Sequence, residues 1–323
     1  MKNILALHTG GTISMSANEA GEVVLNESNP LNQGITNLNE VNLISEEIFN
    51  LPSPHITPKE MLVLKNRITQ AEADGIDGVV VTHGTDTLEE TAYFLDLTLP
   101  SEIPVVITGA MRSSNEIGTD GQYNFQSAIR VAMADEAANK GVLVVMNDEI
   151  HSARFVTKTH TTNVATFRTP TFGPIGIVTN KDVKFFQELL KQTTVDVDHV
   201  VSGVYLIKAY AGIDPTQFEY LDNHRTRGIV IEALGAGNLP PQILPALQSI
   251  LDHHIPVVLV SRCFNGVAEA VYNYQGGGVE LQKMGVVFCQ GLTGPKARIK
   301  LMVGLSANLS PAELTDFVNN AVS

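Results

Sequence analysis

The sequence predicts an α/β protein with a larger N-terminal domain, built on a parallel sheet with crossover helices, and a smaller C-terminal α/β domain. Three observations predict it. Short apolar runs rich in β-branched residues recur at 4–7, 78–81, 104–107 and 142–146, each followed by a glycine-containing turn and a helical pattern. Runs that are apolar throughout suit strands buried on both faces, and strand–helix alternation sets such strands parallel. The alternation fades after residue 176 and resumes after 202, and a length of 323 residues suits two domains of common size.

The first strand, 4–7, runs into His8-Thr9-Gly10-Gly11-Thr12. Thr57-Pro58-Lys59-Glu60 then reads as a helix start, with an N-cap threonine, a proline at the first helical position and a glutamate placed for a capping box. The strand at 78–81 leads into Thr82-His83-Gly84-Thr85-Asp86-Thr87, and those at 104–107 and 142–146 complete a first domain assigned to 1–176. Through Thr179-Asn180-Lys181-Asp182 and Gln192-Thr193-Thr194 the periodicity weakens, so 177–202 reads as a linker. The second domain, 203–323, has strands at 204–207, 228–231 and 256–260, a helix at 240–253, and closing helices at 295–305 and 311–318. Neither half shows an internal repeat.

Composition removes several function classes. Asp and Glu number 34 against 21 Lys and Arg, a net charge of −13, and that acidic field repels a phosphate backbone, so no nucleic-acid partner is expected. The run at 4–7 is shorter than the ~7–15 residues of a signal-peptide core, and no apolar run approaches ~18 residues, so neither export nor a membrane span is expected and the location expected is cytoplasmic. Two cysteines, Cys263 and Cys289, fit a reducing compartment and read as small buried hydrophobes. The nine histidines form no His-x-x-x-His or mixed Cys/His cluster, so no metal is expected. There is no G-x-S-x-G elbow and no P-loop, and Gly235-Ala236-Gly237 continues as Asn238-Leu239-Pro240 instead of completing a dinucleotide fingerprint.

Chemistry concentrates in the two turns that follow the strands at 4–7 and 78–81. In open α/β sheets ligands bind outside the carboxyl ends of strands, where both turns lie. Taken singly, each is an ordinary tight turn, glycine giving backbone freedom and Thr or Asp a helix cap. Together they supply what amide hydrolysis needs, because an amide is a poor electrophile. A threonine hydroxyl that attacks it requires a proton acceptor within reach and donors facing the developing oxyanion. Thr12 stands beside Gly11, and Thr85 beside Gly84. Asp86 can pair with a lysine and orient it. Lys158, in the β-type stretch Arg154-Phe155-Val156-Thr157-Lys158-Thr159, is the candidate, since burial there would push it toward neutrality and general-base work. Alone it reads as a solvated strand residue. Thr12 is not N-terminal, which argues against a nucleophile released by autoproteolysis.

Four motifs, Thr9-Gly10-Gly11-Thr12-Ile13, Thr82-His83-Gly84-Thr85-Asp86-Thr87 with Glu89-Glu90-Thr91, Thr108-Gly109-Ala110-Met111-Arg112, and Val156-Thr157-Lys158-Thr159, resemble in order and spacing those of the bacterial-type L-asparaginase family. The likeness extends to Gly235-Ala236-Gly237-Asn238-Leu239 and Gly294-Pro295-Lys296-Ala297-Arg298. It implies a cofactor-free amidohydrolase turning L-asparagine and water into L-aspartate and ammonia, of the cytoplasmic, type I-like kind. It implies that Thr12 attacks the side-chain amide, with Thr85, Asp86 and Lys158 as a second hydrogen-bonded group. It places Ser53 and Asp86 on the substrate's α-carboxylate and α-amino groups, Ala110 as contributing a backbone carbonyl, and Gly11 and Gly84 at the substrate. It implies that Asn238 reaches a neighbouring subunit's site in a homotetramer of intimate dimers. The exported members carry a tyrosine in the loop after the first threonine, whereas 13–28 here has none and the first tyrosine is Tyr93. Pro54 and His55 follow Ser53 where many exported members have Gln and Asp, and Gly276-Gly277-Gly278 stands where a neighbour-contributed acid is expected. Two rivals share the scaffold. One is the asparaginase-like subunit of a tRNA-dependent amidotransferase, which carries a further N-terminal domain where this strand begins at Ile4. The other is a non-catalytic amino-acid sensor, which has no use for Lys158.

Overall fold

In the computed structural model, which describes residues 1–26, 29–32, 41–100, 102–190 and 192–319, every all-apolar run of the N-terminal half is a central strand. β1 (Lys2–His8) is inaccessible from Ile4 to Leu7, which its unbroken apolar sequence requires. A hairpin of β2 (Met15–Ala17) and β3 (Val23–Leu25) follows, then β4 (Val41–Glu47). α1 (Pro58–Ala73) begins at the expected box: the Thr57 hydroxyl accepts from the Lys59 N–H and the Glu60 carboxylate from the Thr57 N–H. Next come β5 (Gly78–Thr82), α2 (Leu88–Thr98), β6 (Val105–Thr108), α3 (Gly121–Met133) and β7 (Val142–Met146). β8 (Glu149–Ser152), a two-strand ribbon of β9 (Thr157–Lys158) and β10 (Phe167–Arg168), and β11 (Gly176–Val178) and β12 (Val183–Phe185) complete this part.

Eight strands form one sheet in the order β12-β11-β8-β7-β6-β5-β1-β4, parallel from β4 to β7 and antiparallel from β7 to β12. The stretch expected as a linker therefore contains sheet. Thr179-Asn180-Lys181-Asp182 is the turn of the β11–β12 hairpin, closed by the Thr179 N–H on the Asp182 carbonyl at 2.8 Å. Polar turn residues mark a hairpin tip and a linker alike, and three-residue strands are too short to show alternation. β4 escaped notice for a related reason: it is an edge strand, half exposed along its length.

The chain runs outward from β1 to β4, then returns past β1 to β5, β6 and β7. Its connections thus diverge between β1 and β5, and the carboxyl ends of those strands frame a crevice. The helices cover both faces. α3 packs Phe125, Ala128, Ile129 and Ala132 on Ile4, Ala6, Val80, Val106 and Leu143. α1 and α2 touch each other, and α2 touches β6 and β7 from the opposite face. The crossovers through α2 and α3 join successive neighbouring strands in the same direction from opposite faces, so their hands are opposite and one departs from the strong right-handed preference. The segment 109–120 joins β6 to α3. Asp120 anchors it, accepting from the Met111 N–H at 3.1 Å and the Arg112 N–H at 3.0 Å.

The chain divides into two compact units, Met1–Thr194 and Val195–Ser323. In the second, β13 (Val204–Lys208), α4 (Thr216–Leu221), β14 (Gly228–Ala233), α5 (Leu244–Asp252), β15 (Val257–Ser261), α6 (Gly278–Met284) and β16 (Val287–Phe288) build a parallel sheet in chain order. Phe218, Leu247, Ile250 and Leu281 of the connecting helices share a core with Ile229, Ile231, Val257 and Leu259. α7 (Gly294–Ser306) packs on β13, β14 and β15, and α8 (Pro311–Asn319) on β16. Cys289 is buried, and burial pushes its thiol up to about 12. Cys263, expected inside, is exposed: it follows β15 in a turn at the strand's carboxyl end.

Candidate active site

The crevice exists because two glycine turns touch. A Cβ on Gly11 (φ 85°) would stand 2.2 Å from Gly84 Cα, and one on Gly84 would stand 2.7 Å from Ser53 Cβ. Only glycine lets these three segments meet. The Thr9 N–H and hydroxyl both donate to the Thr82 carbonyl, at 3.1 and 2.9 Å, tying the first turn to the end of β5. Leu51 donates to the Thr9 carbonyl at 2.9 Å and brings Ser53 over the turn. Ser53 Oγ accepts from the Asp86 N–H at 3.3 Å, and its carbonyl accepts from Thr87 Oγ1 at 2.8 Å.

Gly11, Thr12, Ser53, Gly84, Thr85, Asp86 and Lys158, all singled out in the sequence, line one pocket of about 220 Å³. Lys158 Nζ lies 3.0 Å from Thr85 Oγ1 and 2.6 Å from Asp86 Oδ1. The lysine is not the enclosed residue expected from sequence: its side chain is 17% exposed and its carboxylate partner 62% exposed. An ion pair so open contributes about 0–1 kcal/mol to stability, so its consequence is orientation of the amine and not folding. Among the described residues, nothing pairs with the Thr12 hydroxyl at the first position of a short 3₁₀ turn (Thr12–Ser14).

Two buried histidines stiffen the strand ends. His83 Nδ1 lies 2.8 Å from the Gly84 carbonyl, which can only accept, so Nδ1 carries the proton and Nε2 accepts the Thr91 hydroxyl at 2.9 Å. His8 lies between Thr82 Oγ1 and Ser45 Oγ, each at 2.9 Å. Burial lowers both imidazoles to about 4, so they are neutral hydrogen-bonding props at physiological pH.

Ala110 is buried, with Met111 beside it reaching the pocket wall. Asn238 belongs to the second unit, where its Oδ1 accepts from the Gly278 N–H at 3.3 Å, on the first turn of α6. Met15, Pro52, Pro54, Met111 and Thr161 also line the pocket and were not assigned to it from sequence. Met111 and Pro54 adjoin assigned residues, which was the available signal. Met15 and Thr161 gave none, because the hairpin that carries Met15 is too short to read and Thr161 lies in the loop between β9 and β10. The loop 13–28 is a hairpin over 15–25, while residues 27 and 28 lie outside the described residues. Among the described residues, no group of three His, Cys, Asp or Glu could hold a metal ion, and no helix is long and apolar enough to cross a membrane.

The asparaginase N-terminal domain family model matches residues 3–191, and the glutaminase/asparaginase C-terminal domain model matches 203–317. The chain is 36% identical to the L-asparaginase of Bacillus licheniformis over 309 residues, covering 95% of this chain and 96% of that one. It is 39% identical to a probable L-asparaginase of Deinococcus radiodurans over 318 residues, 97% of this chain and 96% of the other. The crystal structure of a probable cytoplasmic L-asparaginase from Campylobacter jejuni superposes with a TM-score of 0.88 at 33% identity, covering 98% and 99% of the two chains. Matched across both units and nearly end to end, the chain belongs to the asparaginase family.

Proposed function

We propose that the protein is an L-asparaginase in which Thr12 is the nucleophile. The observation that carries the reading is the Lys158 amine held between the Thr85 hydroxyl and the Asp86 carboxylate, in the pocket whose wall includes Thr12. Thr12 Oγ attacks the side-chain amide carbon of L-asparagine, and its proton passes through Thr85 toward Lys158. As an amine, Nζ accepts the Thr85 proton while donating to Asp86, so the carboxylate fixes which way the lone pair points. Protonation of the amide nitrogen releases ammonia and leaves a β-aspartyl ester on Thr12. Water drawn against the same network then hydrolyses that ester to aspartate. Backbone N–H groups of the glycine turns, which carry no Cβ to block approach, suit the developing oxyanion.

Ser53 and Asp86 suit the other end of the substrate. The Ser53 oxygen already accepts from the Asp86 N–H, which leaves its proton for an α-carboxylate, and the exposed face of Asp86 suits an α-ammonium. Ala110, through its carbonyl, and Asn238, from a second subunit, complete the proposed contacts, which makes the working form a homo-oligomer; its likeness to the probable cytoplasmic L-asparaginase of Campylobacter jejuni supports a cytoplasmic location. The test is ammonia release from L-asparagine at micromolar enzyme, without added metal or cofactor. Turnover is expected. Binding of asparagine without ammonia release would instead describe a sensor.

A further inference from the structure

Lys158 is held at two points, and the proton relay uses only one of them. Its Nζ meets Thr85 and Asp86, whereas its backbone N–H donates to Glu89 Oε2 at 3.0 Å. The ribbon β9–β10 pairs Lys158 with Phe167 on one side, and the next N–H along, that of Thr159, donates to the Thr166 carbonyl at 2.8 Å. The Lys158 N–H points off the other edge, where a strand has no ladder partner unless another group supplies one. Glu89 supplies it from the first turn of α2, three residues after Asp86. One short segment, 85–89, thus grips the lysine at both ends: a hydroxyl and a carboxylate at the amine, and a second carboxylate at the main chain.

From this we infer that Glu89 is a positioning residue for the reaction, acting through Lys158 without touching the substrate. The inference rests on the reading of Lys158 as proton acceptor. A two-residue ribbon has little pairing of its own to fix it. The lysine stem is flexible, so the place of Nζ depends on where its main chain is pinned. Glu89 pins β9 to the start of α2, directly after the turn that carries Thr85 and Asp86, and the three groups then move as one body. Loss of that pin displaces Nζ relative to Thr85 while leaving the walls that bind substrate in place. A misplacement of about 1 Å in a reacting group costs on the order of 10²-fold in rate.

The test compares Glu89→Ala, Glu89→Gln and Lys158→Met in steady-state ammonia release, alone and combined. Glu89→Ala is expected to lower kcat about 10- to 100-fold with KM within about threefold of wild type. Glu89→Gln keeps a carbonyl oxygen to accept the same N–H and is expected within about threefold of wild type in both constants. In the Lys158→Met background, Glu89→Ala is expected to add nothing, because its action ends at the lysine. Wild-type kcat in Glu89→Ala, a Glu89→Gln enzyme as slow as the alanine variant, or a further loss in the double mutant would each overturn the inference while the reading of Lys158 stands. A fully active Lys158→Met enzyme would remove that reading and the inference with it.

Discussion

Both units end a parallel strand in a glycine-rich turn, and the two turns have different fates. After β1, Gly10 and Gly11 open toward a second turn because the neighbouring connections depart in opposite directions between β1 and β5. After β14, Gly235-Ala236-Gly237 closes on itself: the Leu234 and Asn238 N–H groups donate to each other's carbonyls at 3.0 and 2.9 Å, and Ser261 Oγ donates to the Gly235 carbonyl at 2.5 Å. The second sheet runs in chain order, β13 to β16, so its connections never diverge and no switch point opens. Glycine at the end of a strand is therefore a poor mark of a site by itself. Strand order decides whether the turn faces a crevice within its own unit.

The largest expected effect comes from removing the proton acceptor proposed for the first crevice. Lys158→Met should lower kcat about 10³-fold or more and combine with Thr85→Ala non-additively, since both serve one proton path. Losses that multiply in the double mutant, measured by ammonia release, would break the shared network.

Glycine substitutions test the two kinds of turn directly. Gly11→Ala forces a side chain into φ 85°, ψ 177°, a region essentially confined to glycine, at a cost of about 1–3 kcal/mol. It also sets a Cβ against the Gly84 backbone, so urea unfolding should show a loss above about 3 kcal/mol together with lost activity. Gly266→Ala in the second unit has the strain (φ 93°) but nothing within 4 Å of the new Cβ, and should cost only the strain term. Equal losses at the two positions would show that close approach of the first turns is not what their glycines provide.

Acid should also separate the units. His8 and His83 have folded values near 4, below the ordinary 6.5, because burial disfavours their charged forms. The unfolded chain then binds protons that the folded chain refuses as pH falls below 6.5. Stability present above that value is lost progressively down to about pH 4, by about 3 kcal/mol for each histidine. In the second unit His224, His253 and His254 are exposed. Protection factors, which correct amide exchange for its slower intrinsic rate in acid, should fall from pH 7 to pH 5 around β1 and β5 and change less around β14 and β15. A uniform response across both units would contradict this.

How much was legible follows the same division. Buried parallel strands announced themselves, since Ile4, Leu5, Val79 to Val81 and Val142 to Val145 have no polar face to dilute the signal. The half-exposed β4 and the short strands β8 and β10 to β12 did not, whereas β9 falls within the β-type stretch 154–159, and the hairpin turn at 179–182 passed for a linker. Ser53, Thr85, Asp86 and Lys158 could be named from motifs, but their meeting is a property of strand order and of glycine contacts that spacing does not encode. Met15 and Thr161 complete the pocket from a short strand and a loop whose sequence carries no period.

A smaller effect concerns selectivity. Glutamine is one methylene longer, which a pocket discriminates by about 1–3 kcal/mol, with more when the reacting atom is misplaced. The loop 13–28 has no tyrosine, and Gly276-Gly277-Gly278 offers no side chain to recapture a displaced ammonium. The expected ratio of kcat/KM for asparagine over glutamine is above about 10². Comparable values on the two amides would refute it.

The central claim is that Thr12, and not Thr85, forms the covalent bond. Acid quenching during turnover of L-asparagine, followed by peptide mass spectrometry, reads this directly. The account predicts a β-aspartyl ester on the peptide containing Thr12, absent from Thr12→Ala, whose ammonia release should fall about 10³-fold or more. An adduct on Thr85, or wild-type turnover by Thr12→Ala, would contradict it.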